Sequence, residues 1–471
     1  MSATTSPTAA EALRGQVRGP VLTPRDPVFA QATRLWNAMI DKTPAVVVQP
    51  TGAADVVAAV RFARERELAL SVRGGGHNIA GTALVDGGLT LDMSRLRGVV
   101  VDPLARTAVV QSGCVLGDVD RETQLHGLAT PLGFFSDVGV AGLTLGGGLG
   151  YLTRRFGWTV DNLLEVEVVT ADGCVQRASR DENGDLFWAI RGAGANLGVV
   201  TSFTFALHPV GPLVYGGLIA WPFERADEIV HAYRELTVAA PLELTAFMMA
   251  IRAPAAPFVP VESHGRRVCA MSICFSGPPA AAGEALAPIR ALGDPVIDLL
   301  GELPYAQLQS YLDDTEPKGS HYYWKTEYAS DLGDDLLSTW TEIAAECPIP
   351  EGQIGFLHLG GALNERDGDD GAVGNRDARF AMGALGQWEP EEPKADAFVA
   401  WTRAAWERLR PFGTGATYIN FQTADEGFDR IRASYGANFD RVTEIKRRYD
   451  PDNLFRSNRN VAVPRSLTQS P

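Results

Sequence analysis

SVRGGGHNIAG, Ser71–Gly81, places three consecutive glycines, a histidine and an asparagine at the end of the strand-like run LALSV. Before it, PAVVVQP predicts a strand and AADVVAAVRFARERE predicts an amphipathic helix. Together these segments predict a β-α-β unit with a glycine loop at the end of its second strand, where nucleotides bind in α/β folds. Taken alone, the loop is compatible with a phosphate cradle, a chemically active histidine or a tight turn.

Two further glycine regions occur in the same half of the chain. They are VGVAGLTLGGGLGYLTRRFG, Val138–Gly157, and the loop inside LFWAIRGAGANLGVVTSF, Leu186–Phe203. Only glycine lets several backbone N–H groups converge closely on phosphate oxygens, so three such loops beside strands favour a ligand with an extended phosphate portion. A Rossmann fingerprint fits poorly, because GGGLGY follows a GVAG turn and not a first strand.

Length and charge limit the classes of function. The chain has 471 residues, 45% of them hydrophobic, which predicts two or three domains. A formal net charge of −15 repels phosphate backbones and anionic lipids, so we expect small-molecule partners and neither nucleic acid nor membrane. The N-terminal residues lack a signal-peptide pattern and no apolar run is long enough to cross a bilayer, so we expect a cytoplasmic protein. The five cysteines lack zinc-ligand spacing, and we expect no metal site.

The character of the sequence changes after Pro209. Glycine clusters become rarer, and long amphipathic helices such as ERADEIVHAYRELTVAA alternate with apolar strands such as RRVCAMSICFSG. This pattern predicts an α+β region in which helices cover one face of a sheet. The C-terminal part, YGANFDRVTEIKRRYDPDNLFRSNRNV, begins as a basic amphipathic helix that stops at Asp450-Pro451.

Five motifs in fixed order carry a family resemblance. VRGGGHNIAG, GVAGLTLGGGLGYLTRRFG, DNLLEVEVVTADG, LFWAIRGAGANLGVVTSF and YGANFDRVTEIKRRYDPDNLFRSN occur between about residues 27 and 461. Together they resemble the FAD-linked oxidases of the p-cresol methylhydroxylase and vanillyl-alcohol oxidase superfamily, most closely its berberine-bridge-enzyme-like branch. The resemblance implies an α+β fold with a two-part FAD-binding domain, residues 1–208 and 421–471. Residues 209–420 are then an inserted substrate-binding domain, an antiparallel sheet covered by helices, with the flavin at the junction.

The resemblance assigns the cofactor-binding residues. In that family the first glycine loop wraps the FAD pyrophosphate, and its histidine is bonded to the 8α carbon of the flavin, which implies a covalent link to His77. Val199 and Val200 match the segment near the adenine, and Asn420 the polar edge of the flavin. The other matched positions are Arg73, Gly74, Gly75, Gly76, Asn78 and Gly81 in the loop, and Val138, Gly139, Gly142, Thr144, Gly147 and Gly148 along the pyrophosphate and flavin.

One departure from the family pattern concerns a second covalent link. Many members attach the flavin through a cysteine in a G-x-C-P-T-V-G segment, but the matching stretch here is GFFSDVG, with Phe135 at the cysteine position. We therefore expect a single link, to His77, and no cysteinyl link. Valine at position 138 accompanies reactivity with dioxygen in relatives, which implies dioxygen as the electron acceptor.

The stretch GATYINF, residues 415–421, resembles the family segment G-x-Y-x-N-F and makes Tyr418 the candidate base. Tyr418 would take a proton from a substrate O–H or N–H while hydride passes from the adjacent carbon to flavin N5 and dioxygen becomes H2O2. A phenol with an ordinary pKa of about 10 needs a cationic or flavin contact to lower it. Lys325 and Tyr323 in HYYWKTEY are the predicted neighbours, with Tyr322 and His358 as others. Such an aromatic cluster is as often core, and one face of a strand must point away from the site.

The function implied by the resemblance is an FAD-dependent oxidase of a small molecule with a C–OH or C–N group, such as a sugar, an alkaloid or another secondary metabolite. A dehydrogenase, an oxygenase or a cyclising enzyme of natural-product biosynthesis with the same fold is a second interpretation. A non-catalytic flavin or small-molecule binding protein is a third. The sequence indicates neither the substrate nor the oligomeric state.

Overall fold

The β-α-β unit predicted around the glycine loop builds a four-stranded sheet. In the computed structural model, which describes residues 7–461, strand Val46–Val48 is followed by helix Ala53–Glu65 and strand Leu70–Arg73. Strand Leu89–Asp92 lies between these two strands and runs parallel to both, and Val21–Leu22 pairs antiparallel at the edge. The glycine loop therefore leaves the carboxyl end of a parallel strand, as the sequence predicts.

A five-stranded antiparallel sheet completes the first half of the chain. Its strands, in spatial order, are Val99–Asp102, Thr107–Gln111, Val199–Ala206, Leu163–Val169 and Val175–Ser179. The core under this sheet also contains Val442 and Ile445 from the C-terminal helix Phe439–Tyr449. The end of the chain thus packs into the same core as the first half. A short antiparallel pair, Leu128–Ala129 with His208–Pro209, lies beside it.

The second half contains an antiparallel sheet of eight strands. Helices Ala226–Ala239, Asp334–Glu346 and Ala395–Leu409 cover one of its faces, with Trp340 and Phe356 in the shared core. This arrangement confirms the predicted α+β class with a helix-covered antiparallel sheet. The strands are Leu213–Pro222, Leu244–Arg252, Arg267–Phe275, Ile297–Asp298, Gly301–Pro304, His321–Ala329, Gln353–His358 and Phe380–Trp388.

The remaining helices connect and flank these sheets. Within residues 7–461, no helix is long and apolar enough to span a membrane. The predicted domain limits at residues 1 and 471 lie outside the described residues. The helices not yet named are Pro7–Arg14, Phe29–Thr33, Leu116–Thr123, Val140–Leu145, Thr153–Phe156, Gly184–Ala193, Ala282–Ala285, Ala287–Arg290, Tyr305–Gln309 and Phe428–Tyr435.

A buried ion pair fixes the C-terminal helix to the first half. Lys446 donates hydrogen bonds to the Asp450 carboxylate and to the carbonyl oxygens of Asn196 and Phe455, both at 2.8 Å. Asp450 in turn accepts from the backbone N–H of Leu454 at 2.7 Å and of Phe455 at 2.9 Å. The Lys446 side chain is 2% exposed and the Asp450 side chain 0%. The pair is therefore fully desolvated and satisfied by neighbouring backbone groups.

Replacing Lys446 by Met is expected to lower the melting temperature, because it leaves the Asp450 carboxylate buried without a cation. Removing one partner of a buried pair costs about 3–5 kcal/mol of stability. The measurement is thermal unfolding followed by tryptophan fluorescence. Arg447→Met, at an exposed position on the same helix, is the matched control and should change stability by less than about 0.5 kcal/mol. Equal melting temperatures for the two variants would show that the Lys446–Asp450 ion pair does not stabilise the fold.

Candidate active site

A cavity of about 1130 Å³ lies between the three glycine regions and the uncovered face of the eight-stranded sheet. Residues 74–78 line it from the first glycine loop, Gly139 and Gly142 from the second, and Val199 and Val200 from the third. The tail contributes Asn458 and Arg459. The cavity therefore collects the parts of the sequence that the glycine pattern singles out.

Two glycines bring the first and second loops into backbone contact. A Cβ on Gly75 would lie 2.4 Å from the backbone nitrogen of Gly139, and a Cβ on Gly139 would lie 2.1 Å from that of Gly75. Neither position admits a side chain. Gly142 differs, because a Cβ there would meet nothing within 4 Å and would project into the cavity. The absence of a side chain therefore lets Gly75 and Gly139 bring the two loops together, and at Gly142 it leaves space in the cavity.

His77 is held by a carboxylate and an indole. Its Nε2 lies 2.9 Å from Asp137 Oδ1, and its ring stacks on Trp36 with a centroid distance of 4.6 Å. Burial alone would raise the pKa of Asp137, but the hydrogen bond and the charge interaction with His77 lower it below its ordinary value. A carboxylate accepts from an Nε2–H group, so this contact leaves Nδ1 as the ring nitrogen with a free lone pair.

Tyr418 and Asn420 form the second polar point of the cavity. The phenol oxygen of Tyr418 accepts a hydrogen bond from the backbone N–H of Gly148 at 2.9 Å and from Asn420 Nδ2 at 2.8 Å. Asn420 Nδ2 also donates to the carbonyl oxygen of Leu143 at 3.1 Å, and the Tyr418 ring stacks on Trp158. Burial raises the pKa of Tyr418, and the two N–H donors act in the opposite direction.

Comparisons with known proteins identify the family to which the chain belongs. A family model described as "FAD binding domain" matches residues 44–179, and one described as "Berberine and berberine like" matches residues 417–462. An FAD-linked oxidoreductase of Dictyostelium discoideum is 32% identical over 430 residues, which cover 90% of each chain. The chain belongs to the berberine-bridge-enzyme-like family of FAD-linked oxidoreductases.

Solved structures show the same fold over nearly the whole chain. A 6-hydroxy-D-nicotine oxidase from Arthrobacter nicotinovorans is 25% identical, with a TM-score of 0.82 and coverage of 95% of this chain and 98% of that chain. A xylooligosaccharide oxidase from Myceliophthora thermophila, in complex with xylobiose, is 25% identical, with a TM-score of 0.85 and coverage of 97% and 99%. The predicted superfamily is thereby confirmed, and this berberine-bridge-enzyme-like protein is an FAD-dependent oxidoreductase.

The cavity fits FAD by its size and by its unpaired polar atoms. Its volume exceeds the roughly 300–1,000 Å³ typical of pockets for drug-sized ligands. Three buried side-chain atoms of residues that line the cavity have no hydrogen-bond partner among residues 7–461. They are Ser112 Oγ, Asn458 Oδ1 and Arg459 Nε. Buried polar groups in folded proteins are nearly always paired, so these atoms fit a polar ligand such as a dinucleotide. The glycine backbones of the loops supply further N–H groups.

The structure corrects the expected neighbours of Tyr418. On strand His321–Ala329, Trp324 and Thr326 line the cavity. Tyr323 and Lys325 alternate with them and therefore lie on the helix-covered face. There, Lys325 Nζ binds the Asp425 and Glu426 carboxylates at 3.0 and 2.9 Å, and Tyr323 donates to Asp425 at 2.6 Å. Neither side chain reaches Tyr418, so the prediction that they assist it is wrong.

The two other predicted neighbours of Tyr418, Tyr322 and His358, also make their contacts with other residues. Tyr322 stacks on Trp36 with a centroid distance of 3.6 Å and donates to the carbonyl oxygen of Pro317. His358 is buried against the Arg154 guanidinium, and burial together with this charge lowers the pKa of His358 to about 2. No cation among the described residues contacts the Tyr418 oxygen, and its two hydrogen bonds come from amide N–H groups.

Several cofactor-binding candidates lie behind the cavity wall. Arg73 is not among the residues that line the cavity, and its side chain turns toward the Asp92 carboxylate, 3.7 Å away, and the Ala32 carbonyl oxygen. Its expected contribution, a backbone amide at the pyrophosphate, stays a prediction. Gly81, at φ +65°, packs on Ile40. Thr144, Gly147 and Gly148 support the wall from behind, Gly148 through its bond to Tyr418. The candidates that line the cavity are Gly74, Gly75, Gly76, His77, Asn78, Val138, Gly139, Gly142, Val199, Val200, Tyr418 and Asn420.

Three residues of the site carry no signal in the sequence that singles them out. Trp36 lies outside every glycine motif, Asp137 lies in a segment noted only for its missing cysteine, and Glu316 lies in an irregular acidic loop. Their roles arise from contacts over long sequence separations, such as the bond from Trp36 Nε1 to the Glu316 carbonyl oxygen at 2.9 Å. The alternation along HYYWKTEY separates Trp324 and Thr326 from Tyr323 and Lys325, but the sequence does not show which of the two faces meets the cavity.

Replacing Gly142 by Leu is expected to leave the fold intact and to lower FAD content, because the new side chain projects into cavity space from a Cβ that meets nothing within 4 Å. The measurement is the ratio of absorbance at the flavin band to that at the protein band after purification, together with the melting temperature. Gly283→Leu is the matched control, since Gly283 is also a helical glycine whose Cβ would meet nothing within 4 Å. Full FAD content in the Gly142 variant would contradict this placement of the cofactor.

Proposed function

We propose that this protein is an oxidase of a small molecule that carries a C–OH or C–N group, with FAD covalently attached to His77 and dioxygen reduced to H2O2. The observation that carries the proposal is the Tyr418 phenol oxygen on the cavity wall, held by two N–H donors. Relatives that include a 6-hydroxynicotine oxidase and a xylooligosaccharide oxidase support it.

Tyr418 acts as the base toward the substrate O–H or N–H group. Its oxygen accepts from Gly148 and Asn420, and such donors stabilise negative charge that develops when a proton leaves. Burial nevertheless holds the pKa of Tyr418 above its ordinary value on balance, so the remaining stabilisation of the phenolate would come from contact with bound flavin. Bound FAD supplies the acceptor for the hydride from the adjacent substrate carbon.

His77 is attached through Nδ1 to the 8α carbon of the flavin. Asp137 holds the proton of the ring on Nε2, so that Nδ1 carries the lone pair that forms the bond. With FAD bound, this bond would form at the cost of one hydrogen of the 8α methyl group and the proton on Nε2, and dioxygen would take up the two protons and two electrons as H2O2. Asp137 is placed to accept the proton from Nε2. Phe135 lines the cavity at the position of the family cysteine, and no cysteine is among the described lining residues, which supports a single link.

Replacing Tyr418 by Phe is expected to preserve FAD content and to slow substrate oxidation by about 10²–10⁴-fold, the usual contribution of a positioned base. Peroxide release identifies active compounds from 6-hydroxynicotine, xylobiose and a panel of small amines and alcohols. Rapid-mixing absorbance of the flavin then measures the reduction step. Tyr323→Phe, on the opposite face of the sheet, is the matched control and should keep the wild-type rate. An unchanged rate in the Tyr418 variant, or dye reduction without peroxide, would be incompatible with the proposal.

Replacing Asp137 by Asn is expected to slow covalent attachment, because the amide neither fixes the Nε2–H tautomer nor accepts the released proton. The measurement is the fraction of denatured protein that carries one FAD mass as a function of time after FAD is added to apoprotein. Asp137→Glu should restore part of the rate, and Asp314→Asn, at an acid that lines the cavity without contacting His77, should leave it unchanged. Equal rates for Asp137→Asn and wild type would refute the role of Asp137.

A further inference from the structure

A buried carboxyl group of the cavity has no role in the steps above. Glu316 is 8% exposed and lies between the turn Asp313–Thr315 and the strand His321–Ala329. Its backbone carbonyl oxygen accepts from Trp36, the residue whose ring stacks on His77. The loop is thereby fixed beside the histidine, and the Glu316 side chain lines the same cavity as Tyr418.

The Glu316 carboxyl lacks a cationic partner. One oxygen accepts a long hydrogen bond from Gln353 Nε2 at 3.5 Å, and the other has no hydrogen bond within residues 7–461. No lysine, arginine or histidine of the described chain forms an ion pair with it. Asp137 and Tyr322 are the titratable groups that interact with it electrostatically, and Lys318 interacts with Asp137 instead. Burial and the Asp137 charge raise the pKa of Glu316 to about 8.

The wall near Glu316 is apolar and aromatic. Gln353 and Trp324 both align with Leu385 on the strand between them, so the three side chains form one row on the cavity face of the sheet. Phe247 and Met249 extend this face. An indole face attracts cations, and the remaining apolar wall suits a hydrocarbon body.

Charged groups around this part of the cavity are mainly acidic. Asp314, Glu351 and Glu389 also line it and are exposed. Two arginines and no lysine line the cavity within residues 7–461. Arg459 belongs to the tail, and Arg252 is exposed and donates to the carbonyl oxygen of Gly265. A ligand that enters past these carboxylates experiences a negative potential, which favours a cation.

We propose that Glu316 binds a cationic nitrogen of the substrate, so that the substrate class is a small amine with an apolar or aromatic body. The inference rests on the proposed function, because the site is the substrate cavity of that function, and it selects the C–N alternative. Binding pairs the ammonium group with the Glu316 carboxylate, and any proton that the carboxyl still carries is released to solvent. The ligand thus supplies the counter-ion that the protein lacks.

The test uses three probes with the same ring and similar length: benzylamine, benzyl alcohol and benzoate. Their affinities for the FAD-loaded protein are measured by isothermal titration calorimetry. The wild type should bind benzylamine about tenfold or more tightly than benzyl alcohol, and benzoate most weakly, as a charge-assisted hydrogen bond predicts. Glu316→Gln should abolish the preference for the amine. Glu262→Gln, at an exposed acid that does not line the cavity, is the matched control and should keep it.

The pH dependence gives a second readout. Because the carboxylate form binds the ammonium group and the pKa of Glu316 is about 8, the affinity of the wild type for benzylamine should fall as the pH decreases below 8. The affinity of the Glu316→Gln variant should not change over this range. A preference that survives in this variant, or a wild type that binds benzylamine no more tightly than benzyl alcohol, including no detectable binding of either, would overturn the inference.

The two proposals fail in different ways. Peroxide release from neutral or anionic substrates, without an amine preference that depends on Glu316, would overturn this inference and support the oxidase. A Glu316-dependent amine preference in a protein that releases no peroxide from any amine would support the binding role of Glu316 and overturn the oxidase.

Discussion

The contact between the Gly75 and Gly139 backbones is the constraint on which the cofactor cavity depends. Each glycine occupies the space where a Cβ of the other would lie, at 2.4 and 2.1 Å from a backbone nitrogen. This contact joins the loop after strand Leu70–Arg73 to helix Val140–Leu145 and places His77 next to Asp137. Any larger residue at either position would separate the two loops and open the wall of the cavity.

Alternate residues along the strands of the eight-stranded sheet point either to the helix-covered face or to the cavity. One face packs on three helices, and there Lys325 forms an ion-pair cluster with Asp425 and Glu426. The other face presents Trp324 and apolar side chains to the cavity. Two polar groups beside this face matter most for the account: Tyr418 with its two N–H donors, and Glu316, which has no cationic partner among the described residues. A polar group set beside an apolar wall has a large influence on which ligand binds.

Local pattern was sufficient to predict part of this site. The β-α-β unit and the shared site of the three glycine loops were predicted from short motifs of residues close together in the chain. Tyr418 and Asn420 were assigned to the flavin side by the family resemblance, and their hydrogen bond emerges only from the structure. The roles of Lys325 and Tyr323 were wrong because a strand's alternation does not reveal which face meets the cavity. Asp137 was missed because its partner, His77, lies 60 residues away in the chain. Glu316 was missed because the hydrogen-bond partner of its carboxyl, Gln353, lies on a separate strand. Loop acids show no periodicity that distinguishes them from solvated ones.

The intact mass of the denatured protein tests the central claim most directly, namely that this cavity holds FAD bonded to His77. Wild type should carry one additional FAD mass that survives denaturation, and His77→Ala should lose it while the folded variant still binds FAD reversibly. A wild-type mass equal to that of the bare chain, or an FAD mass that persists in the variant, would contradict the account.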